Sequence, residues 1–387
     1  MENKISIGNQ RYDSIIEYNS FYIDKTQFIK EWWESPDKVT VITRPPQFGK
    51  TLNMNMVYCF FSEKYKNRED LFQDKCIWQD ERYRCYQGTY PVIYISFAGI
   101  TADNMAGAGE QLKYMIWNLY EENRYLLNGD TLSTEEKEFF ISVNTYMDDN
   151  MYYTAINHLC KFLNRYYNKQ VIILLDSFDS PANAAEHVYD KTMLPFLQRM
   201  LQLSCIQNPY MEKCLIMGTT GIYNHSLFTD QSEIKEVSVA SGEYSAYFGF
   251  TDKEVESSLK AVESTCNIDD LRQWYSGYKF GNALEVYNPW SICNYLKKNA
   301  LLAYWEMSNS TYTLRRIILN DTDIMKNMEE LIKNGRIIKD NKYEPYWKYM
   351  NDMGYVIEEY NELDHHLYLH IPNLESYTIL TKTLSSM

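Results

Sequence analysis

One stretch constrains the fold of this chain more than any other, because an apolar run, a loop and a helical pattern follow one another without a break. The apolar run Lys38–Thr43 (KVTVIT) predicts a strand, and Thr51–Ser62 predicts a helix. Between them the chain reads RPPQFGKT. A strand that passes through such a loop directly into a helix is the context that a phosphate-binding P-loop requires.

The loop offers the groups that bind phosphate. Backbone N–H groups and the positive end of the following helix attract negative charge. Gly49 lets the backbone approach closely, Lys50 is predicted to reach the β- and γ-phosphates, and the Thr51 hydroxyl to coordinate Mg²⁺. The alternative is that Gly-Lys-Thr only begins a helix whose lysine is solvated. Arg44 occupies the position of the usual first glycine. The predicted nucleotide-binding residues of this loop are Arg44, Pro45, Pro46, Gln47, Phe48, Gly49, Lys50 and Thr51.

A second strand ends in the acid that such a site needs. Val171–Asp176 (VIILLD) is an almost unbroken aliphatic run, which is typical of a strand covered by helices on both faces. Asp176 at its end is predicted to hold Mg²⁺ together with the Thr51 hydroxyl. The alternative is an aspartate that only caps the strand end. We therefore expect a nucleoside triphosphate and Mg²⁺ to bind where these two strands end.

The set of residues expected to hydrolyse the nucleotide is incomplete. ATPases of this architecture usually place a glutamate after the aspartate, and here the residue is Ser177, whose hydroxyl is a poor base at neutral pH. Asp179 is the nearest candidate for positioning water, with a local turn as the alternative. Thr219, at the end of a further strand-like run, could sense the γ-phosphate, with a plain turn as the alternative. The sequence therefore leaves open whether the bound nucleotide is hydrolysed.

The chain up to about residue 240 alternates between strand and helix patterns. Pro91–Phe97 and Lys213–Thr219 are further predicted strands. This alternation implies a parallel sheet in a three-layer α/β sandwich of the P-loop NTPase kind. The predicted helices between the strands are Asn104–Leu127, Thr134–Met147, Tyr152–Tyr167 and Asp190–Cys205.

The rest of the chain is predicted to be mainly helical. Thr251 and Glu254 form a capping box, and Pro289 suits the first turn of another helix. Pro345–Met353 predicts a helix, followed by strand-like runs at Tyr355–Glu359 and Leu367–Ile371. We therefore divide the chain into an α/β core (1–240), a helical lid-like region (241–310) and a small α+β winged-helix-like region (311–387).

The composition of the chain limits which classes of binding partner are expected. The formal net charge of −14 disfavours a broad nucleic-acid-binding surface. The eight cysteines form no Cys-x-x-Cys pair, which favours reduced thiols over a zinc site or a disulfide framework. The sequence has no stretch resembling a signal peptide and no apolar run of membrane-spanning length, so a cytoplasmic protein is expected. A nucleotide is the predicted partner, and a protein partner or a homo-oligomer is left open.

Several colinear motifs resemble the AAA-ATPase-like family. They are Phe21–Thr26 (FYIDKT), the variant loop Arg44–Thr51, Phe248–Thr251 (FGFT), Trp274–Tyr278 (WYSGY) and Asn288–Ile292 (NPWSI). The resemblance implies a P-loop ATPase that uses ATP and Mg²⁺. Proteins of this family are often followed by a PD-(D/E)xK-type nuclease domain. No nuclease activity is predicted for the residues of this chain.

The chain also departs from the family pattern. The family usually has Asp-Glu-Tyr-Asp where this chain has Asp176-Ser177-Phe178-Asp179, and basic residues where it has Ile222–Ser226. Both departures remove groups that would support hydrolysis and leave the binding loop intact. Three hypotheses follow: a slow ATPase that acts as a switch, an interaction module that binds nucleotide without hydrolysing it, or a structural protein that binds none.

Overall fold

The computed structural model describes residues 5–100, 105–181, 193–220, 234–262, 264, 266–281, 285–307, 314 and 322–385. Its strands, in chain order, are β1 (Val39–Thr43), β2 (Val92–Ser96), β3 (Val171–Asp176), β4 (Met211–Gly218), β5 (Ile234–Val237), β6 (Arg336–Ile338), β7 (Ile357–Asn361) and β8 (His366–His370). Its helices, numbered in chain order, are α1 (Tyr12–Glu17), α2 (Gln27–Glu34), α3 (Lys50–Phe61), α4 (Glu81–Arg84), α5 (Met105–Glu122), α6 (Thr134–Ser142), α7 (Asp149–Tyr167), α8 (Met193–Leu201), α9 (Asp252–Ala261), α10 (Ile268–Tyr275), α11 (Pro289–Lys298), α12 (Thr322–Asn334), α13 (Glu344–Asp352) and α14 (Leu374–Ser385).

In the described part of the chain, the first five strands form one parallel sheet with the order β2-β3-β4-β1-β5. At one edge of the sheet, Thr43 of β1 pairs with Gly218 of β4, and Asp176 of β3 pairs with Met217 of β4. The carboxyl ends of three neighbouring strands are therefore level. Parallel α/β sheets bind ligands at this edge, and the loop after each strand opens there.

Helices cover both faces of this sheet. The alternation of side chains along β3 sends Ile172 and Leu174 into the apolar cluster that contains α3, whereas Ile173 and Leu175 lie in the cluster that contains α5 and α7. All six residues of β3 are buried. The predicted three-layer α/β sandwich is therefore confirmed, and the unbroken aliphatic run of β3 has its expected cause.

Sequence patterns located four of the five parallel strands. The missed strand is β5, which pairs in parallel with β1. Its sequence IKEV contains Lys235 and Glu236 and shows no apolar run. The predicted helix 134–147 ends earlier, at Ser142. Of the predicted helix 190–205, residues 190–192 lie outside the described residues, and α8 ends at Leu201.

The second half packs against the first. Helices α9, α10 and α11 share an apolar cluster of their own. The capping box is present at α9, where the Thr251 hydroxyl and the Glu254 carboxylate each accept a backbone N–H. Strands β6, β8 and β7 form an antiparallel sheet in that order. Trp305, Trp347 and Tyr355 belong to the same apolar cluster as α3.

The winged-helix assignment of the last region and the division of the chain into three regions stay predictions. None of the described helices combines the length and the apolar character that crossing a bilayer requires.

Candidate nucleotide site

The phosphate loop, Arg44–Thr51, joins β1 to α3 and turns sharply just before the helix. Gln47 (φ 68°) and Gly49 (φ 82°) both have left-handed backbone conformations. Glycine adopts this conformation without steric cost, and the nearest atom to a Cβ built on Gly49 is 4.0 Å away. Gly49 and the first turn of α3 line a pocket, and the N–H groups of a first helical turn bind anions.

Lys50, the first residue of α3, is folded back onto the phosphate loop. Its Nζ donates hydrogen bonds to the carbonyl oxygens of Arg44 (2.7 Å) and Pro45 (2.8 Å). Burial lowers the pKa of this half-buried ammonium to about 8, although the nearby carboxylates of Asp179 and Asp176 act in the opposite direction. Lys50 is thus a cation that the protein itself stabilises poorly and that an anionic ligand would stabilise further.

Thr51 and Asp176 meet across the edge of the sheet. The Thr51 hydroxyl donates to Oδ2 of Asp176 at 2.8 Å. The other oxygen, Oδ1, is buried and has no hydrogen-bond partner among the described residues. Burial raises the pKa of Asp176, and the hydrogen bond from Thr51 lowers it. A hydroxyl next to a carboxylate with an unused oxygen fits Mg²⁺, which prefers oxygen ligands.

Arg44, one of the predicted nucleotide-binding residues of this loop, is held in the fold by its side chain. Its guanidinium is fully buried and donates to the carbonyl oxygens of Thr43, Val237, Ser238 and Glu243 at 2.6–3.3 Å. It also lies 4.5 Å from the ring centroid of Phe280. Burial alone lowers its pKa to about 9. Arg44 therefore fastens the end of β1 to the chain after β5, and only its backbone contacts Lys50.

Asp179 is buried and already holds the end of β4. Its Oδ2 accepts hydrogen bonds from the backbone N–H groups of Thr219 (3.1 Å) and Thr220 (2.9 Å) and from the Thr220 hydroxyl (3.2 Å). Gly218 permits this approach, since a Cβ there would lie 2.4 Å from the Phe178 ring and 2.8 Å from Oδ1 of Asp179. The turn after β4 is thus fixed by the loop after β3.

Ser177 and Thr219, the other two candidate catalytic residues, both line the pocket beside the phosphate loop. Ser177 has a φ of 55°, which is uncommon for a residue with a Cβ and clusters at functional sites. The structure brings Lys50, Thr51, Ser177 and Thr219 around one pocket.

That pocket has a volume of about 280 Å³ and extends well beyond the phosphate loop. Its far walls come from the amino-terminal segment, with Ile7 and Gly8, and from the second half of the chain, with Phe250, Trp290 and Cys293. Sequence reasoning missed these residues. Phe250 and Trp290 stood in recognisable motifs, but nothing in their chemistry indicated a ligand.

Lys25 ties these far walls together. It is 6% exposed, and its Nζ contacts both carboxylate oxygens of Glu254 (2.6 and 2.8 Å) and the Ala246 carbonyl oxygen (2.7 Å). Burial lowers its pKa, and Glu254 opposes that shift. The amino-terminal segment is thereby pinned to the start of α9, beside the pocket.

A larger cavity, of about 800 Å³, lies beside β2, away from the phosphate loop. Its described lining includes Glu110 and Glu122 and contains no lysine or arginine. Glu122 is already paired with Lys64 at 2.8 Å, and Glu110 adds negative charge that disfavours phosphate groups. The smaller pocket at the phosphate loop is therefore the candidate site.

The chain resembles known proteins in sequence and in structure. The family model described as predicted AAA-ATPase matches residues 6–228. A protein of Azotobacter chroococcum mcd 1, described as an uncharacterised protein in the vnfD 5′ region, is 24% identical over 311 residues; the match covers 78% of this chain and 53% of that protein. This chain thus spans about half the length of its curated relative.

Two solved structures are similar in outline. The Walker-type ATPase of Pyrococcus abyssi has a TM-score of 0.47 at 11% identity, covering 94% of this chain and 97% of its own. The Drosophila ORC bound to AT-rich DNA and Cdc6 has a TM-score of 0.26 at 9% identity, covering 97% and 93%. At these scores neither neighbour bears on function.

Proposed function

This chain belongs to the AAA-ATPase-like family, whose model matches well over half of it, and from that premise we propose that it is a slow ATPase acting as a nucleotide-dependent switch. That it is a P-loop nucleotide-binding protein follows from the family; ATP, Mg²⁺ and the rate of hydrolysis are the proposal. The observation that carries it is the pair Thr51–Asp176, joined at 2.8 Å beside Lys50, with one buried carboxylate oxygen unused.

Binding is supported by the arrangement of charges. In the proposal, Lys50 leaves the two loop carbonyls to contact the β- and γ-phosphates, and Thr51 and Asp176 hold Mg²⁺. The ion would neutralise charge on the phosphate oxygens. The base and ribose would extend toward the far walls of the pocket, where Phe250 and Trp290 offer apolar surface.

Slow turnover is supported by what surrounds the γ-phosphate position. Ser177 replaces the expected acid, and a hydroxyl of ordinary acidity removes a proton from water poorly at pH 7. Asp179 already accepts three hydrogen bonds from Thr219 and Thr220. The candidate catalytic residues therefore stabilise the shape of the site and are poorly suited to activating water.

A single-turnover assay with γ-labelled ATP and Mg²⁺ tests this function on wild type and Lys50→Ala. We expect bound label and slow phosphate release in wild type, and loss of both in Lys50→Ala. Lys64→Ala is the matched control, since Lys64 is half exposed, pairs with Glu122 and does not line the pocket. Nucleotide binding that survives in Lys50→Ala at the wild-type level would contradict the proposal.

The metal assignment has a test of its own. Asp176→Asn keeps the shape of the side chain but removes the charge that holds Mg²⁺. We expect wild-type affinity for ATP to drop when EDTA removes Mg²⁺, and affinity in Asp176→Asn to be the same with and without the metal. A full Mg²⁺ effect in Asp176→Asn would place the ion elsewhere.

The second candidate function is an interaction module that binds nucleotide without hydrolysing it, and Ser177 is the observation that favours it. Label retained without phosphate release would support this module and turn the search to a protein partner or homo-oligomer. No binding by any nucleotide would favour a purely structural protein. The cytoplasmic localisation stays a prediction.

A further inference from the structure

The outer side of the phosphate loop is covered by the second half of the chain. Phe48 is fully buried, and its ring centroid lies 4.9 Å from that of Tyr278 and 5.7 Å from that of Phe280. Phe280 also stacks on the buried Arg44. Aromatic rings from beyond residue 270 thus form a wall behind a loop that lies before residue 52.

At the other end of this wall, the backbone of Gly354 fits between Pro45 and Trp305. Gly354 has a φ of 78°, and a Cβ built on it would lie 3.0 Å from Cη2 of Trp305 and 3.1 Å from Cβ of Pro45. Trp305 is fully buried and stacks on Tyr355, with ring centroids 5.3 Å apart. A methyl group here would lie closer than ordinary van der Waals contact to both neighbours, so the phosphate loop and the turn after α13 are packed tightly against each other.

Helix α14 holds the wall in place from behind. The Glu375 carboxylate accepts the backbone N–H of Trp305 at 2.8 Å and the hydroxyl of Ser291 at 2.8 and 2.9 Å. The Tyr278 hydroxyl lies 3.4 Å from the Ser376 hydroxyl. Trp305 and Tyr278 are therefore both tied to the same helix, so a shift at one end of the wall affects packing at the other.

In the proposed binding mode, a nucleotide disturbs the same place. Lys50 donates to the Pro45 carbonyl in the described state, and in that binding mode it turns from this oxygen to the phosphates. The carbonyl belongs to the residue that touches Gly354. Nucleotide binding would therefore change the hydrogen bonding of Pro45. Pro45 contacts Gly354, which in turn contacts Trp305.

We propose that the region around α13 senses nucleotide occupancy through the Pro45–Gly354–Trp305 contact, so that nucleotide affinity depends on how this region packs. The inference rests on the proposed function and adds a route for its regulation. Linkage makes the coupling reciprocal: a partner that shifts α13 or Trp305 changes nucleotide affinity by the same factor as nucleotide changes affinity for that partner.

The first test compares two glycines in the full chain. Gly354→Ala inserts a methyl group between Pro45 and Trp305, whereas Gly335→Ala has the same kind of backbone strain (φ 70°) with no described atom within 4 Å of its Cβ. We expect Gly354→Ala to weaken MgATP binding at least about fivefold relative to Gly335→Ala, the lower end of ordinary coupling. Equal affinities in the two variants would overturn the proposal.

The second test is spectroscopic and does not need Gly354→Ala to fold. Trp290 lines the pocket and would respond to a ligand directly, so tryptophan emission is measured in Trp290→Phe. We expect MgATP to change this emission, and the added substitution Trp305→Phe to abolish the change while binding persists. A change that survives without Trp305, or no change in Trp290→Phe with nucleotide bound, would overturn the coupling.

The two proposals fail in different ways. If wild type binds MgATP but neither comparison shows the expected difference, only the coupling is wrong. If wild type binds no nucleotide under conditions that saturate other P-loop proteins, the proposed function falls and the coupling falls with it.

Discussion

The loops after β1 and β3 lie at the same edge of one sheet and use their charges differently. In the loop after β1, Arg44 satisfies carbonyls of the fold, and Lys50 rests on carbonyls that it can leave. In the loop after β3, Asp176 has an unused oxygen, but Asp179 is committed to the turn after β4.

This difference separates the residues that would bind a ligand from the residues that would hydrolyse it. The groups that would hold phosphate and metal are present and lack complete protein partners. In the proposed function, Ser177 stands in place of an acid that would activate water, and Asp179 is engaged in the fold. In each loop, one charged side chain stabilises the fold and another is available to a ligand. Substituting each of these side chains tests this assignment.

Arg44→Met should have the largest effect. Losing the guanidinium removes its hydrogen bonds to four backbone carbonyl oxygens, two of them on the buried residues Thr43 and Val237, so we expect the free energy of unfolding to fall by about 3–5 kcal/mol, since each hydrogen bond from a charged group contributes about 1.5–3 kcal/mol. Urea denaturation measures it. Arg124→Met is the control: Arg124 and its partner Glu121 are both exposed, and such a pair contributes little. A stable Arg44→Met would mean that Arg44 is not structural.

Lys50 should show the opposite behaviour. Lys50→Met is expected to lower MgATP affinity roughly ten- to a hundredfold at pH 7, the loss of a charge-assisted hydrogen bond, without loss of stability, because burying this ammonium is costly. A pKa of about 8 means that the free protein carries the charge below pH 8 and loses it above. Wild-type affinity should therefore fall by up to about tenfold per pH unit above 8.

The pH series is measured by nucleotide titration between pH 7.5 and 9.5, well above the last pKa of a phosphate group, about 6. Lys50→Met supplies the control, since its residual binding should not change with pH. Wild-type affinity that stays constant to pH 9.5 would show that Lys50 remains protonated and that its burial costs less than the structure indicates.

Asp179 tests the loop after β3 with two substitutions. Asp179→Ala removes the acceptor for Thr219 and Thr220 and should lower the free energy of unfolding by about 1–3 kcal/mol. Asp179→Asn keeps an acceptor oxygen and should lose less, with single-turnover hydrolysis retained. Turnover abolished in Asp179→Asn at undiminished stability would instead assign Asp179 to positioning water.

Sequence alone located the core of this site because its signals are local. Strand, loop and helix follow directly around Arg44–Thr51, and the aliphatic run of β3 ends at Asp176. Level strand ends in a parallel sheet then bring Thr51 to Asp176. These inferences need only the side-chain period and the connectivity of a parallel sheet.

The remainder depends on contacts between residues far apart in the chain. The partners of Arg44 lie nearly 200 positions away and are backbone carbonyls, which leave no mark on side-chain composition. β5 is short and half charged, so only its pairing with β1 identifies it. The fit of Gly354 against Pro45 has the same origin, since no pattern links a glycine in one half to a proline in the other.

The smallest effect is expected at Ser177. Its left-handed backbone (φ 55°) costs a residue with a Cβ about 1 kcal/mol, which glycine avoids, so Ser177→Gly should raise the free energy of unfolding by up to about 1 kcal/mol. Ser257→Gly, at an exposed position in the middle of α9, should lower it, because glycine weakens a helix interior. Urea denaturation and single-turnover hydrolysis are measured together. Higher stability with slower turnover would mean that the strain serves the hydroxyl's position at the γ-phosphate; higher stability with unchanged turnover would leave Ser177 without a part in hydrolysis and favour the module that only binds.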